Sequence, residues 1–278
     1  MTEKDSRTTI DRSGLSYTDK AAIITGGSKG IGEGCARVFV DAGAKVVICA
    51  RGKDAGGQLA AELTRQGPGA CHFEACDVSQ PGDIQRLVDR TVQLHGRLDC
   101  LINNAGWHPP HRRIDDFSIQ ELQELLQLNL VSYFAACKFA LTHLRKTQGS
   151  IINMGSLVGI MGQEGATTYC ATKGAIRAFT KALAIEEAQH GVRVNAVLPG
   201  NILSDNRKQA SANRPDAEDF DRWIDSHQPT GRSGTCEEVG QLCLFLASNA
   251  ASYLTGVEII ISGGSELGYG IKYPPKLI

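Results

Sequence analysis

Residues 21–32 read Ala21-Ala22-Ile23-Ile24-Thr25-Gly26-Gly27-Ser28-Lys29-Gly30-Ile31-Gly32. The short apolar run at the start suits a strand buried on both faces. Glycines then interrupt it, and a helix-period run follows to Asp41. Glycine permits positive φ, lets the backbone approach an anion closely, and lets a helix pack tightly on the strand before it. The helix that follows would present N–H groups and a partial positive charge to phosphates. The spacing is Gly-x-x-x-Gly-x-Gly, which a plain tight turn also satisfies. Its place after the first strand of an alternating β/α chain favours nucleotide binding, with Gly26, Ser28, Lys29, Gly30, Ile31 and Gly32 as the cradle.

The same alternation continues along the chain. Strand candidates occupy residues 21–25, 45–49, 70–76, 98–103, 150–154, 193–198 and 258–261, with helical runs near 31–41, 58–66, 83–95, 119–145, 169–190 and 235–247. Seven short strands separated by helices predict one α/β domain, doubly wound and Rossmann-like, with a seven-stranded parallel sheet flanked by helices. Its expected extent is residues 18–278, preceded by a polar, disordered arm over residues 1–17. Residues 201–231 hold few apolar runs and are expected to form a mobile substrate lid, with a short helix near 219–224.

Lys and Arg number 29 against 30 Asp and Glu, for a net charge of −1. No basic stripe points to a nucleic-acid partner, and no run of eighteen apolar residues points to a membrane span. Nine scattered cysteines without CxxC spacing suit reduced thiols in the cytoplasm. The N-terminus lacks the apolar core of a secretory signal, and Lys276-Leu277-Ile278 is not a peroxisomal tripeptide.

Tyr169-Cys170-Ala171-Thr172-Lys173 lies thirteen residues after Ser156. Tyrosine and lysine four apart on a helix share a face. An ammonium near a phenol favours the phenolate, bringing a group of ordinary pKa about 10 toward general acid–base catalysis. Ser156 would then polarise the oxygen that Tyr169 protonates or deprotonates. A chance pair on a solvated helix is the alternative.

Taken together, these stretches resemble the short-chain dehydrogenase/reductase family over about residues 20–264. The resemblance rests on residues 25–32, Asp77, Asn103-Asn104-Ala105-Gly106, Asn129, Ser156, Tyr169 with Lys173, and Pro199-Gly200. It implies reversible hydride transfer between a nicotinamide cofactor and a secondary alcohol or ketone. Tyr169 is then the acid/base, Ser156 stabilises the alkoxide, and Lys173 lowers the Tyr169 pKa and holds the nicotinamide ribose. Asn129 kinks its helix and supports the proton relay; a core asparagine bonded to backbone is the alternative. Asp77 and Val78 would meet the adenine, although Asp77 also suits a turn. Asn104, Ala105, Gly106, Pro199, Gly200 and Ile202 would line the cofactor. Ser204 would stand where a threonine meets the carboxamide. The resemblance also implies a homotetramer.

The second strand ends Ile48-Cys49-Ala50-Arg51, with no acid to bind a ribose hydroxyl and an arginine able to accept a 2′-phosphate. With Lys29 nearby, this favours NADP(H), with NAD(H) as the alternative. Arg51 as a solvated surface residue is the plain reading.

Residues 104–110, 156–159, 162–163, 199–202 and 263–270 are similar to the type 14 17β-hydroxysteroid dehydrogenase branch of that family. That branch uses NAD and carries an aspartate where this chain has Ala50. The similarity implies an apolar, hydroxysteroid-like small-molecule substrate met by Trp107, His108, Ser156, Gln163, Asn201 and Tyr269. His108 also fits an ordinary loop residue and Tyr269 ordinary tail packing. His108 and His111 lack further clustered ligands, so no metal site is expected. The polar lid makes a carbonyl reductase or sugar dehydrogenase the alternative. A non-catalytic NADP(H)-binding scaffold or redox sensor is the alternative of another class.

Overall fold

A computed structural model of the chain describes residues 15–268 and 270. Elements alternate as β1 (Ala21–Thr25), α1 (Gly30–Asp41), β2 (Lys45–Ala50), α2 (Lys53–Gln66), β3 (Ala70–Ala75), α3 (Pro81–His95) and β4 (Cys100–Asn103). Then come α4 (Ile119–Leu126), α5 (Ser132–Thr147), β5 (Ser150–Met154), α6 (Val158–Met161), α7 (Thr167–Glu187) and β6 (Arg193–Pro199). The chain continues with α8 (Asp205–Ala212), α9 (Ala217–Asp225), α10 (Cys236–Ala247) and β7 (Glu258–Ile261). The sheet order is β3-β2-β1-β4-β5-β6-β7, and every pair is parallel. The seven-stranded parallel α/β expectation is met.

Side chains of a strand alternate between faces. Ile24, Val46 and Ile48 accordingly join a core with Phe39 and Leu246 under α1 and α10. Ile23, Val47 and Leu101 join the opposite core with Leu87 and Leu144 under α3 and α5. Strand order reverses between β1 and β4, so the loops after those strands diverge and open a crevice at the C-terminal sheet edge.

Helices α1 and α10 approach through glycines. A Cβ on Gly34 would lie 2.4 Å from the Cys236 carbonyl carbon, and one on Gly240 would lie 2.8 Å from Gly34 O. Gly34→Ala should therefore destabilise the fold by about 1–3 kcal/mol, because backbone cannot yield as a flexible side chain can. A thermal melt tests this, and an unchanged Tm would contradict the contact.

Two local expectations needed correction. Tyr17 is buried against Phe39, with ring centroids 5.3 Å apart, so the folded domain begins within the expected arm; residues 1–14 lie outside the described residues. The segment 201–231 forms two helices rather than one. Arg207 on α8 ties them by reaching Asp221 on α9 at 2.6 Å and lying over the Phe220 ring. Separately, α4 and α5 form one rod, Ile119–Thr147, of which an 18-residue window has a mean hydropathy of 1.3, long and apolar enough by composition to cross a membrane. Its apolar stripe of Ala135, Ala136, Ala140 and Leu144 is buried on the sheet, which accounts for that composition.

Candidate active site

The crevice is an open cleft of about 340 Å³. Gly26, Ser28, Lys29, Gly30 and Ile31 form one wall; Ala50, Arg51, Asp77 and Val78 form the outer end. Asn104, Ala105, Gly106, Trp107, His108, Tyr169 and Ser204 complete the lining. Gly26 and Gly30 have φ of 65° and 57°, and a Cβ on Gly32 would lie 2.2 Å from Gly26 O. Side chains there would block the turn. The Lys29 side chain does not cap α1, and the first turn of that helix opens onto the cleft.

Thr25 holds the two diverging loops together, a role that sequence reasoning missed. Its Oγ1 accepts the Asn104 and Ala105 N–H groups at 2.9 and 3.0 Å. Asn104 Nδ2 donates back to Thr25 O and Gly26 O at 3.0 and 3.2 Å. The only local signal was a threonine closing an otherwise apolar strand. Asp77 serves partly as a turn residue, its Oδ1 accepting the Ser79 N–H at 3.0 Å while it lines the cleft.

Tyr169 in the first turn of α7 faces the loop after β5, where the Ser156 hydroxyl is near enough to favour the phenolate. Enclosure of the phenol pushes its pKa up to about 12, against the lowering effect of Ser156. Lys173 is only 3% exposed, and its burial brings its pKa down to about 7. Its Nζ donates to Met154 O at 2.8 Å, between the rings of Tyr133 and Tyr169 at 5.5 and 5.7 Å. The expected lowering of the Tyr169 pKa by Lys173 is therefore not what the site shows. Desolvation dominates both groups, and an amine that itself resists protonation is a weak source of positive charge.

Asn129 is fully buried in a π-helical turn, Gln127–Val131, that joins α4 to α5. Its Oδ1 accepts the Trp107 N–H at 2.9 Å, and its Nδ2 donates to Trp107 O at 3.0 Å and to Thr172 Oγ1 at 3.2 Å. The widened turn thus fastens the loop after β4 to α7. This arrangement matches the expected helix irregularity and also the plain reading of a backbone-bonded asparagine.

His108 covers Tyr169 with ring centroids 4.2 Å apart, and its Nε2 lies 3.3 Å from Gln163 Oε1. Several expected contact residues, Gly32, Ser156, Gln163, Lys173, Pro199, Gly200, Asn201 and Ile202, lie off the cleft lining. Ile202 sends its side chain into the core, where it is 7% exposed. Leu157 N–H donates to Pro199 O, Gly200 N–H to Ile261 O, and Asn201 Nδ2 to Gln228 Oε1. Tyr269 lies outside the described residues.

A family model described as "Enoyl-(Acyl carrier protein) reductase" matches residues 26–266. Bovine L-fucose dehydrogenase is 46% identical over 259 residues, 93% of this chain and 94% of the relative. The 3-oxoacyl-[acyl-carrier-protein] reductase of Chlamydia pneumoniae is 37% identical over 90% of this chain and 98% of its own. The "Pseudomonas aeruginosa RhlG/NADP active-site complex" superposes with a TM-score of 0.82 at 33% identity, covering 91% of this chain and 98% of that one.

The chain belongs to the short-chain dehydrogenase/reductase family.

As a member of that family the protein is an oxidoreductase acting on alcohol groups with a nicotinamide cofactor, not a silent scaffold. The cleft fits such a dinucleotide: its glycines leave the backbone bare beside a helix N-terminus, at the switch point of the sheet. The similarities reach the family and stop short of the type 14 branch.

Proposed function

We propose that this short-chain dehydrogenase oxidises a hydroxyl of a sugar-like substrate, with L-fucose the first to test. The observation that carries this reading is the near-full-length similarity to an L-fucose dehydrogenase. His108 and Gln163 supply paired polar groups beside Tyr169, which suits a substrate with several hydroxyls. Bound NAD(P) supplies the hydride acceptor or donor. Tyr169 takes or gives the hydroxyl proton, and Ser156 donates to the oxygen that develops charge. Lys173 would hold the nicotinamide ribose, while Asn129 supports it by fixing the loop at Trp107. The test follows absorbance during incubation with L-fucose and either NAD⁺ or NADP⁺. Silence with sugars but turnover of hydroxysteroids would move the assignment to an apolar alcohol, the second reading, which the half-exposed Trp107 on the cleft favours.

For the cofactor we favour NADP(H), because Arg51 lies at the end of β2 where no acid stands. A guanidinium–phosphate contact discriminates strongly because it is charge-assisted and bidentate. Arg51→Asp should weaken NADPH roughly tenfold or more while sparing NADH, read as two dissociation constants. Equal affinities in the unaltered protein would overturn this choice. Residues 201–231 are read as the substrate lid. The exposed Phe134 on α5 and Ile185 on α7 support a homotetramer, which light scattering would test. Nine free thiols suit the reducing cytoplasm.

A further inference from the structure

The first turn of α1 meets an anion supplied by the chain itself. The Gly30 N–H donates to Asp205 Oδ2 at 3.2 Å, a contact across 175 residues of sequence. Asp205 opens α8, and Ser204 just before it lies 3.5 Å from where a Gly30 Cβ would stand. Both residues line the same cleft as Gly26 and Ser28. The N–H and partial positive charge that hold this carboxylate are those that would hold a phosphate oxygen. A carboxylate and a phosphate cannot share one N–H, and their like charges repel in a partly enclosed cleft.

We propose that Asp205 is an internal stand-in for the cofactor's pyrophosphate. It holds the Gly30 N–H in the free enzyme and surrenders it when the dinucleotide binds, so it sets cofactor affinity. Because Arg207 ties α8 to α9, release at Asp205 frees both helices as one unit. The contact thereby couples cofactor entry to the position of the lid. The inference rests on the dinucleotide reading of the cleft. Since the pyrophosphate is common to both coenzymes, Asp205 acts on NADH and NADPH alike, whereas Arg51 acts on one.

Fluorescence titration of Asp205→Asn should show NADH and NADPH each binding roughly tenfold tighter than to the unaltered protein, with their ratio kept. Asp205→Glu, which retains the charge, should remain weak. Unchanged or weaker binding by Asp205→Asn overturns the proposal. Negative charge also steadies the first turn of α8, so a second measurement reads the Gly30 contact directly. Hydrogen exchange at the Gly30 amide should be slow in the free protein and fast in free Asp205→Ala; equal rates overturn the contact. Failure of both coenzymes to bind any variant sinks the cofactor reading and this inference together. Binding without a gain sinks this inference alone.

Discussion

Tyr169→Phe should lower turnover by roughly 10²–10⁴-fold, the usual contribution of a positioned general acid or base. Cofactor dissociation constants should stay nearly unchanged, because the ring remains and only the hydroxyl is lost. The enclosed phenol, with its pKa pushed up to about 12, is held protonated at neutral pH. It is thus ready to donate to a ketone oxygen, whereas alcohol oxidation needs the proton removed. Oxidation by the unaltered enzyme should accordingly run faster at pH 9 than at pH 7. Turnover retained by Tyr169→Phe, or oxidation that slows as pH rises over that interval, would remove Tyr169 from the proton transfer.

The second large effect concerns Lys173. Its folded pKa of about 7 lies below the ordinary 10.5 because of burial. Below pH 7 the amine is charged in both states, and the folded protein bears the full cost of desolvating it. Between about pH 7 and 10.5 the unfolded chain holds a proton that the folded chain has released. Stability then rises with pH, by up to about 1.4 kcal/mol per unit. Burial pushes the thiols of Cys71, Cys100 and Cys137 up to about 12, which works in the opposite direction above pH 9. The informative quantity is therefore the difference between Lys173→Met and the unaltered protein. Lys173→Met should be the more stable at pH 7, with the advantage shrinking as pH approaches 10, while turnover is lost. Met154 O still accepts the Tyr133 hydroxyl at 3.3 Å, so the change leaves no orphaned carbonyl. Denaturant unfolding at several pH values decides the matter: a variant less stable at pH 7, or a difference independent of pH, would refute the account.

Much of this site could be read along the chain. The glycine turn, the Asn104 loop, and the Ser156, Tyr169 and Lys173 set fall at strand ends or on one helix face, where local spacing identifies them. Their mutual influence could not be read the same way. Spacing placed an ammonium beside a phenol and suggested a lowered tyrosine pKa, but enclosure of both groups reverses that effect. Ile202 sat in the expected motif yet faces the core, because a short parallel bridge to Gly234 turns it inward. The additional helix in residues 201–231, α8, escaped notice because Asp205–Ala212 carries almost no apolar stripe; its N-cap at Ser204 was the available signal.

Strand and helix identities, their order, and the proposed catalytic set followed from the residues alone, because period, glycine placement and helix spacing are properties of neighbours along the chain. The protonation of Tyr169 and Lys173, the clamp formed by Thr25 and the hold of Asp205 on Gly30 emerged from the folded assembly. Each depends on desolvation or on contacts between segments tens to hundreds of residues apart, and packing alone brings those segments together.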